Sequence, residues 1–184
     1  MYLSKLLKSV LAILPLSILQ PTLATSTPPT PDLSFLYTAY VLCSPSIYET
    51  QGPSGIQKAI PIIGGNFTGP RLSGKILDLG ADWGSTDPQT GIFSANTRYN
   101  LQTHDGANLF LQTSGPKQKD GNLHLKIDIM TGDKRYYWVN NIVAFGILHG
   151  VGETEEGIST LRIDAWHMTS EWNSTTFVNG STYH

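Results

Sequence analysis

The chain contains little cysteine and little charge. Cys43 is the single cysteine among 184 residues, so internal disulfides cannot hold the fold together. It lies in a strand-like run with no basic neighbour, so we expect a buried, unreactive thiol. Lys and Arg number 12 against 14 Asp and Glu, which leaves no basic surplus to neutralise phosphates. We therefore predict no nucleic-acid partner.

The N-terminus lacks an uninterrupted apolar run of the roughly 20 residues that a bilayer span requires. Its shorter apolar run follows Lys5 and Lys8, is interrupted by Pro15, and ends in small residues before a candidate cleavage point. This pattern is typical of a secretory signal peptide. We predict a signal peptide over residues 1–24, a disordered leader over 25–32, and a secreted, extracellular protein with no membrane span in its mature form.

Three Asn-X-Ser/Thr sequons support a secretory route. They begin at Asn66, Asn173 and Asn179, and we predict glycosylation at these positions. Asn66 lies within a glycine-rich stretch, whereas the other two lie in a predicted polar C-terminal tail over residues 171–184. Together with the signal peptide, the sequons favour a eukaryotic glycoprotein.

The body of the chain, residues 33–170, is patterned as β-strands. Apolar and polar residues alternate strictly over Leu123–Ile129, as in a half-buried strand. Asp105-Gly106 between two strand-like runs predicts a hairpin turn. Further strand-like segments cover residues 33–43, 59–63, 72–79, 92–103, 108–113, 135–148 and 159–168. About eight strands joined by short turns predict an all-β meander that closes into a barrel or a two-sheet sandwich.

Motifs for cofactors and metals are absent from the sequence. The five histidines are far apart and form no HxH or HExxH spacing, so no metal site is predicted. There is no GxSxG motif for a hydrolase serine and no GxGxxG loop for a dinucleotide. We expect no cofactor.

Polar and aromatic side chains are concentrated near strand ends, where a barrel admits ligands. Asp82, Arg98 and Tyr99 are the candidate catalytic residues, and Trp83 is a candidate for stacking on a ligand. Neighbours in a strand point to opposite faces, so Arg98 and Tyr99 should diverge. Each also has a structural interpretation: Asp82 would cap a turn or pair with Arg98, and Trp83 would fill the core. The other candidate ligand-binding residues are Tyr137, Trp138 and Asn140.

The glycine-rich stretch Ile63–Gly74, followed by Gly80-Ala81-Asp82-Trp83, resembles the signature of the domain of unknown function 3237 family, the UPF0311 proteins. The segments 98–107 and 137–140 are similar to its later blocks, in the right order. The resemblance implies a single-domain antiparallel β-barrel and a set of signature positions, and no particular reaction. The signal peptide, the sequons and the loop Glu153–Glu156 depart from most members.

These observations leave three functions open. The first is a secreted barrel that binds a small aromatic or apolar molecule. The alternative is a cofactor-free isomerase or cyclase of a secondary metabolite, with Asp82 as general acid–base and Arg98 or Tyr99 stabilising an oxyanion. The third is a cell-surface or wall-associated structural protein. A cavity carboxylate whose pKa is raised by burial would favour the enzyme. The oligomeric state is left open.

Overall fold

A computed structural model describes residues 30–170 of the chain. The predicted signal peptide, all but the last residues of the predicted leader, and the polar tail with Asn173 and Asn179 lie outside these residues. The first strand begins at Asp32, the last residue of the predicted leader. Within residues 30–170, no helix is long and apolar enough to cross a membrane.

The described part of the chain consists of antiparallel strands and one short 3₁₀ helix. The strands are β1 (Asp32–Cys43), β2 (Tyr48–Gly52), β3 (Gly55–Thr68), β4 (Ser73–Asp82), β5 (Ser85–Thr86), β6 (Phe93–Thr103), β7 (Asn108–Pro116), β8 (Leu123–Met130), β9 (Ala144–Glu153) and β10 (Ser159–Thr169). The 3₁₀ helix, Tyr137–Asn141, connects β8 to β9. The sequence pattern does not predict β2 and β5, because both are short and lack an apolar alternation.

Eight of these strands form a closed ring. The order of hydrogen-bonded neighbours is β1, β10, β9, β8, β7, β6, β4 and β3. Pairing of β3 with β1, from Thr38 opposite Thr68 to Cys43 opposite Ile62, completes the circle. Near the start of β3, the short β2 pairs with one edge of this strand and β5 with the other, and β5 also pairs with β6. The predicted all-β, antiparallel barrel of about eight strands is confirmed, and closure removes the exposed edges that such a sheet would otherwise present.

Strict alternation of side chains fills the ring with an apolar core. In β8, every second residue from Leu123 to Ile129 is buried and the intervening residues are exposed. In β6, the same alternation buries Thr97, Tyr99 and Leu101 and turns Arg98 outward. A period of two places one set of side chains inside and the other in solvent. A barrel of about eight strands has an interior just wide enough to be filled in this way.

Two glycines of the glycine-rich signature lie where neighbouring strands approach each other closely. Gly65 has φ +135°, and a Cβ added there would lie 2.0 Å from the carbonyl oxygen of Tyr40. Gly80 has φ +141° and faces Tyr99 across the β4–β6 ladder, where an added Cβ would lie 2.7 Å from the Tyr99 Cβ. A side chain at Gly80 would therefore displace Tyr99, and this glycine makes room for an interior tyrosine.

The strand predicted over residues 135–148 is wrong in its first half. The chain instead forms the 3₁₀ helix there and enters β9 only at Ala144. The Asp133 carboxylate accepts hydrogen bonds from the backbone N–H and the guanidinium of Arg135. Val139 is buried and packs against the core. These local bonds and the burial of Val139 hold the segment as a plug at the end of the barrel where β8 ends.

Candidate functional site

A cavity of about 230 Å³ opens at the barrel end opposite the 3₁₀ helix. The last residues of β1 and β4 and the first residues of β6 and β10 border it. Most of its lining is apolar, including Ile62, Phe93 and Leu161. The polar members of the lining are Cys43, Asp82, Thr97, Tyr99, Thr113 and Ser159. No lysine or arginine is among the described residues that line it, so the cavity suits an uncharged, largely apolar molecule.

Asp82 is held inward by an irregularity in β4. Between Ile76 and Gly80, β4 advances four residues while β6 advances two, from Leu101 to Tyr99. The additional residues are accommodated on the outer surface, where Leu79 is exposed. Because two residues are added, the alternation keeps its phase and Asp82 still points into the barrel. Asp82 is the last residue of β4, so its carboxyl lies near the open end rather than outside it.

The Asp82 carboxyl is buried with a single hydrogen-bond partner. Its exposed fraction is 8%. Among the described residues, its one partner is the backbone N–H of Asn96, which donates to Oδ1 over 2.8 Å. Burial raises the pKa of Asp82, and the Asn96 hydrogen bond opposes that rise. This arrangement leaves carboxyl acceptor capacity for a bound molecule and makes the carboxyl more basic than an exposed one.

Three further ionisable groups continue inward from Asp82. Burial and the nearby Asp82 carboxyl raise the pKa of the Cys43 thiol to about 12. Burial and the neighbouring Cys43 also raise the pKa of Tyr99, and burial together with Tyr99 raises that of Tyr37. All three therefore remain protonated and neutral in the folded protein. The buried, unreactive thiol expected at Cys43 agrees with this environment.

Two threonines complete the polar part of the cavity. Thr97 faces Asp82 across the β4–β6 ladder and Thr113 across the β6–β7 ladder. The hydroxyls of Thr97 and Thr113 hydrogen-bond to each other. Both side chains are buried. Their mutual bond partly satisfies them, so Asp82 remains the one carboxyl in the described lining able to exchange a proton.

The structure separates the residues predicted around Asp82. Tyr99 shares the cavity with Asp82. Arg98 lies on the outer face and donates from Nη1 to the Asn96 Oδ1 over 3.4 Å. Trp83 is 45% exposed and does not line the cavity, although its backbone N–H donates to the carbonyl oxygen of Asn96. Neither the arginine nor the tryptophan can act on a molecule inside the barrel without leaving its present position.

The remaining predicted ligand residues lie at the opposite end. Trp138 packs beneath the Arg71 guanidinium, 3.8 Å from the ring centroid. Asn140 donates from Nδ2 to the carbonyl oxygens of Thr131 and Tyr137, and its Oδ1 accepts from the Thr131 N–H. The Tyr137 side chain is 53% exposed. These three residues belong to the plug that closes the barrel, and the structure does not bring them near Asp82.

Asn66 is exposed near the end of β3, between Tyr40 of β1 and Lys75 of β4. Its side chain projects from the outer surface, away from the cavity. Glycosylation at Asn66 stays a prediction. Among residues 30–170 no group of three histidine, cysteine or acidic side chains is placed to hold a metal ion.

Sequence reasoning missed several interior residues, namely Tyr37, Thr97 and Thr113. A usable signal for Thr97 was present, because it alternates in phase with Tyr99 along β6. Tyr37 carries the same kind of signal, because it alternates in phase with Ala39, Val41 and Cys43 along β1. A register shift between Phe35 and Tyr37 changes the phase of β1 and turns the Tyr37 ring inward against Phe67, at a centroid distance of 6.0 Å.

The fold and the cavity define a small closed antiparallel barrel with an interior site. Residues 31–124 match the family model described as protein of unknown function (DUF3237). The chain therefore belongs to this family, and the resemblance seen in its glycine-rich signature is confirmed. A UPF0311 protein of Bradyrhizobium diazoefficiens is 30% identical over 87 residues, which are 47% of this chain and 56% of that protein.

Two further relatives bear on fold and chemistry. A solved structure described as a β-barrel-like protein from Acinetobacter baumannii superposes with a TM-score of 0.67 at 31% identity, covering 78% of this chain and 99% of that one. The hydroalkoxylation enzyme phnH of Penicillium herquei is 29% identical over 121 residues, which are 66% of this chain and 76% of the enzyme. One protein similar to this chain is thus named for a reaction.

Proposed function

We propose that the barrel cavity is the active site of a cofactor-free cyclase or isomerase in which Asp82 transfers the proton. The observation that carries this proposal is a buried carboxyl with one hydrogen bond, in an otherwise apolar and uncharged cavity. A carboxyl whose pKa is raised by burial is more basic than an exposed one, so it accepts a proton more readily and can then return it. A buried acid of this kind favours the enzyme over the simple binding protein.

The name of the Penicillium herquei relative suggests the reaction class. Hydroalkoxylation adds the O–H bond of an alcohol across a carbon–carbon double bond. Within one molecule, the hydroxyl oxygen forms a bond to one alkene carbon and closes a ring, while its proton reaches the other carbon. Asp82 would accept the hydroxyl proton and deliver it to that carbon, ending in the state in which it began. Atoms and electrons balance, so the reaction requires no oxidant or reductant.

A hydroxyalkene cyclisation assay tests this proposal. The probes are simple hydroxyalkenes whose chain length closes a five- or six-membered ring, and the products are separated by chiral gas chromatography. We expect an excess of one enantiomer with the native protein. Asp82→Asn keeps the shape of the side chain and should lower turnover about 100-fold or more, the usual loss on removing a general acid–base.

The matched control is Asp78→Asn, which removes an exposed carboxylate from the same strand. Its turnover should equal that of the native protein. Equal activity of Asp82→Asn and the native protein would contradict the role of Asp82. Binding of the probes with no product from any of them would instead support a barrel that only binds small molecules, the second candidate, which the mainly apolar lining favours.

We also propose that the protein is secreted, on the basis of the signal-peptide pattern over residues 1–24. N-terminal sequencing of protein recovered from the culture medium should begin close to Thr25. Recovery of a membrane-retained chain that still begins at Met1 would contradict secretion.

A further inference from the structure

Two tyrosine hydroxyls inside the barrel have no hydrogen-bond partner. Tyr99 and Tyr37 have exposed fractions of 2% and 0%, and the hydroxyl oxygens of both are unpartnered among the described residues. Buried tyrosine hydroxyls almost always find a partner. Tyr99 lines the cavity, one layer deeper than Thr97 along β6. Of the two, Tyr99 belongs to the lining of this apolar cavity and Tyr37 does not, so the unused donor of Tyr99 calls for an acceptor supplied from outside the chain.

The environment restricts that acceptor to a neutral oxygen. Both hydroxyls keep their protons, since burial raises the pKa of each, so they act as donors. No basic side chain is present in the described lining to neutralise an anion. A carbonyl oxygen carries two lone pairs and no charge, so it can accept from both hydroxyls at little desolvation cost. The cavity volume equals that of about eight water molecules at roughly 30 Å³ each, which suits a single small ring or short chain.

We infer that the unpartnered hydroxyls of Tyr99 and Tyr37 form a subsite for the carbonyl oxygen of an α,β-unsaturated ketone or aldehyde. This inference rests on the proposed function and names its substrate class. The carbonyl lies at the inner end of the cavity and the conjugated double bond lies toward Asp82. Tyr99 is the principal donor because it lines the cavity, and Tyr37 is the second donor behind it.

In this placement, Asp82 transfers the proton and the two tyrosine hydroxyls bind the carbonyl oxygen during the addition. The substrate hydroxyl oxygen bonds to the β-carbon, and its proton passes to the Asp82 carboxylate. The π electrons of the double bond move onto the carbonyl oxygen, which becomes an enolate oxygen held by the two tyrosine hydroxyls. Asp82 then returns the proton to the α-carbon and the carbonyl re-forms. The net change is one new O–C bond, one new C–H bond and the loss of one C=C bond.

Binding of cyclohex-2-en-1-one, labelled with ¹³C at the carbonyl, tests the subsite directly. Isotope-edited infrared spectroscopy should show the carbonyl stretch of the bound probe shifted to lower wavenumber than in a non-hydrogen-bonding solvent. Tyr99→Phe should abolish most of that shift and Tyr37→Phe a smaller part. Tyr40→Phe is the matched control, because Tyr40 lies on the outer face of β1 and is exposed. An unshifted carbonyl in the native protein would overturn the inference.

Affinities give a second measure. The ratio of the cyclohexenone affinity to that of cyclohexene, which has no oxygen, should fall about tenfold in Tyr99→Phe and remain unchanged in Tyr40→Phe. Taking the ratio cancels any general loosening of the cavity by the substitution. An unchanged ratio in both Tyr99→Phe and Tyr37→Phe would overturn the inference.

The same experiments separate this inference from the proposed function. Asp82→Asn should leave the carbonyl shift intact while abolishing cyclisation of 7-hydroxyhept-3-en-2-one. A shifted carbonyl without cyclisation by the native protein would support the subsite and contradict the enzyme. Cyclisation that is equally fast in Tyr99→Phe would support the enzyme and contradict the subsite.

Discussion

Removing the Tyr99 hydroxyl should stabilise the protein. The hydroxyl lies in the core without a partner in the described residues, so the folded state carries the cost of its lost hydration. That cost is about 1–3 kcal/mol for a buried unsatisfied polar group. Tyr99→Phe retains the ring and its packing against the core while deleting the oxygen. We therefore expect the free energy of unfolding to rise by about 1 kcal/mol, or more if no water molecule hydrogen-bonds to the buried hydroxyl.

Urea denaturation followed by tryptophan fluorescence measures this change. A gain of 1 kcal/mol corresponds to an increase in Tm of about 2–4 °C for a domain near this size. The slope of the unfolding free energy against urea should not change, because the surface exposed on unfolding is the same. Tyr40→Phe, on the exposed outer face, should stay within about 0.5 kcal/mol of the native protein.

Tyr37→Phe should raise stability in the same direction, since its hydroxyl is equally buried and unpartnered. The two hydroxyls are neighbours, so the gain of the double variant should differ from the sum of the single gains. A loss of stability in Tyr99→Phe would refute the reasoning, because it would mean that the hydroxyl is bonded in the folded protein. Greater stability together with weaker carbonyl binding is the combination expected of a residue kept for function.

Three other outcomes are expected from the same structure. Gly65→Ala should destabilise by about 2 kcal/mol or more, because φ is positive and the new Cβ would meet the Tyr40 carbonyl, while Gly132→Ala, in open space, should be neutral by thermal unfolding. Burial raises the folded-state pKa of Asp82 above its value in the unfolded chain. The contribution of Asp82 to stability is therefore complete below about pH 4 and is lost as the pH rises through the folded-state pKa. The unfolding free energy of Asp82→Asn minus that of the native protein should thus increase from pH 3 to pH 8, and a constant difference would contradict the raised pKa. Trp83→Ala should leave cyclohexenone binding unchanged in a fluorescence titration, because this side chain lies outside the cavity.

The alternation of apolar and polar residues predicts most strands. It fails where side chains hydrogen-bond to nearby backbone in place of a neighbouring strand. The alternation in β8 and β10 predicts both strands to within one residue of their bounds. The aromatic and β-branched segment after Thr131 resembles a strand by composition, yet Asp133 and Asn140 bond to nearby backbone and form the 3₁₀ plug. Short side chains that compete for backbone hydrogen bonds are a known source of such exceptions.

The candidate site was predictable for one pair and not for the rest. Asp82 was predicted from its position just past a strand end and Tyr99 as a strand neighbour of Arg98, and the structure places both in the cavity. Trp138 and Asn140 were predicted from composition near a strand end, but strand ends lie at both rims of a barrel. Sequence does not reveal which rim a given end occupies until the order and direction of all strands are known.

By itself, the sequence determined the class of the fold and, in strictly alternating strands such as β8, which face is buried. Alternation is a local property, and the positive-φ glycines of the signature are local requirements of the backbone. Only the tertiary structure decided which interior residues meet. Closure of β3 onto β1 and the register shifts in β1 and β4 bring Asp82, Cys43, Tyr99 and Tyr37 into one row. These residues are distant in sequence, and their proximity depends on the ring closing in one register, which no local pattern encodes.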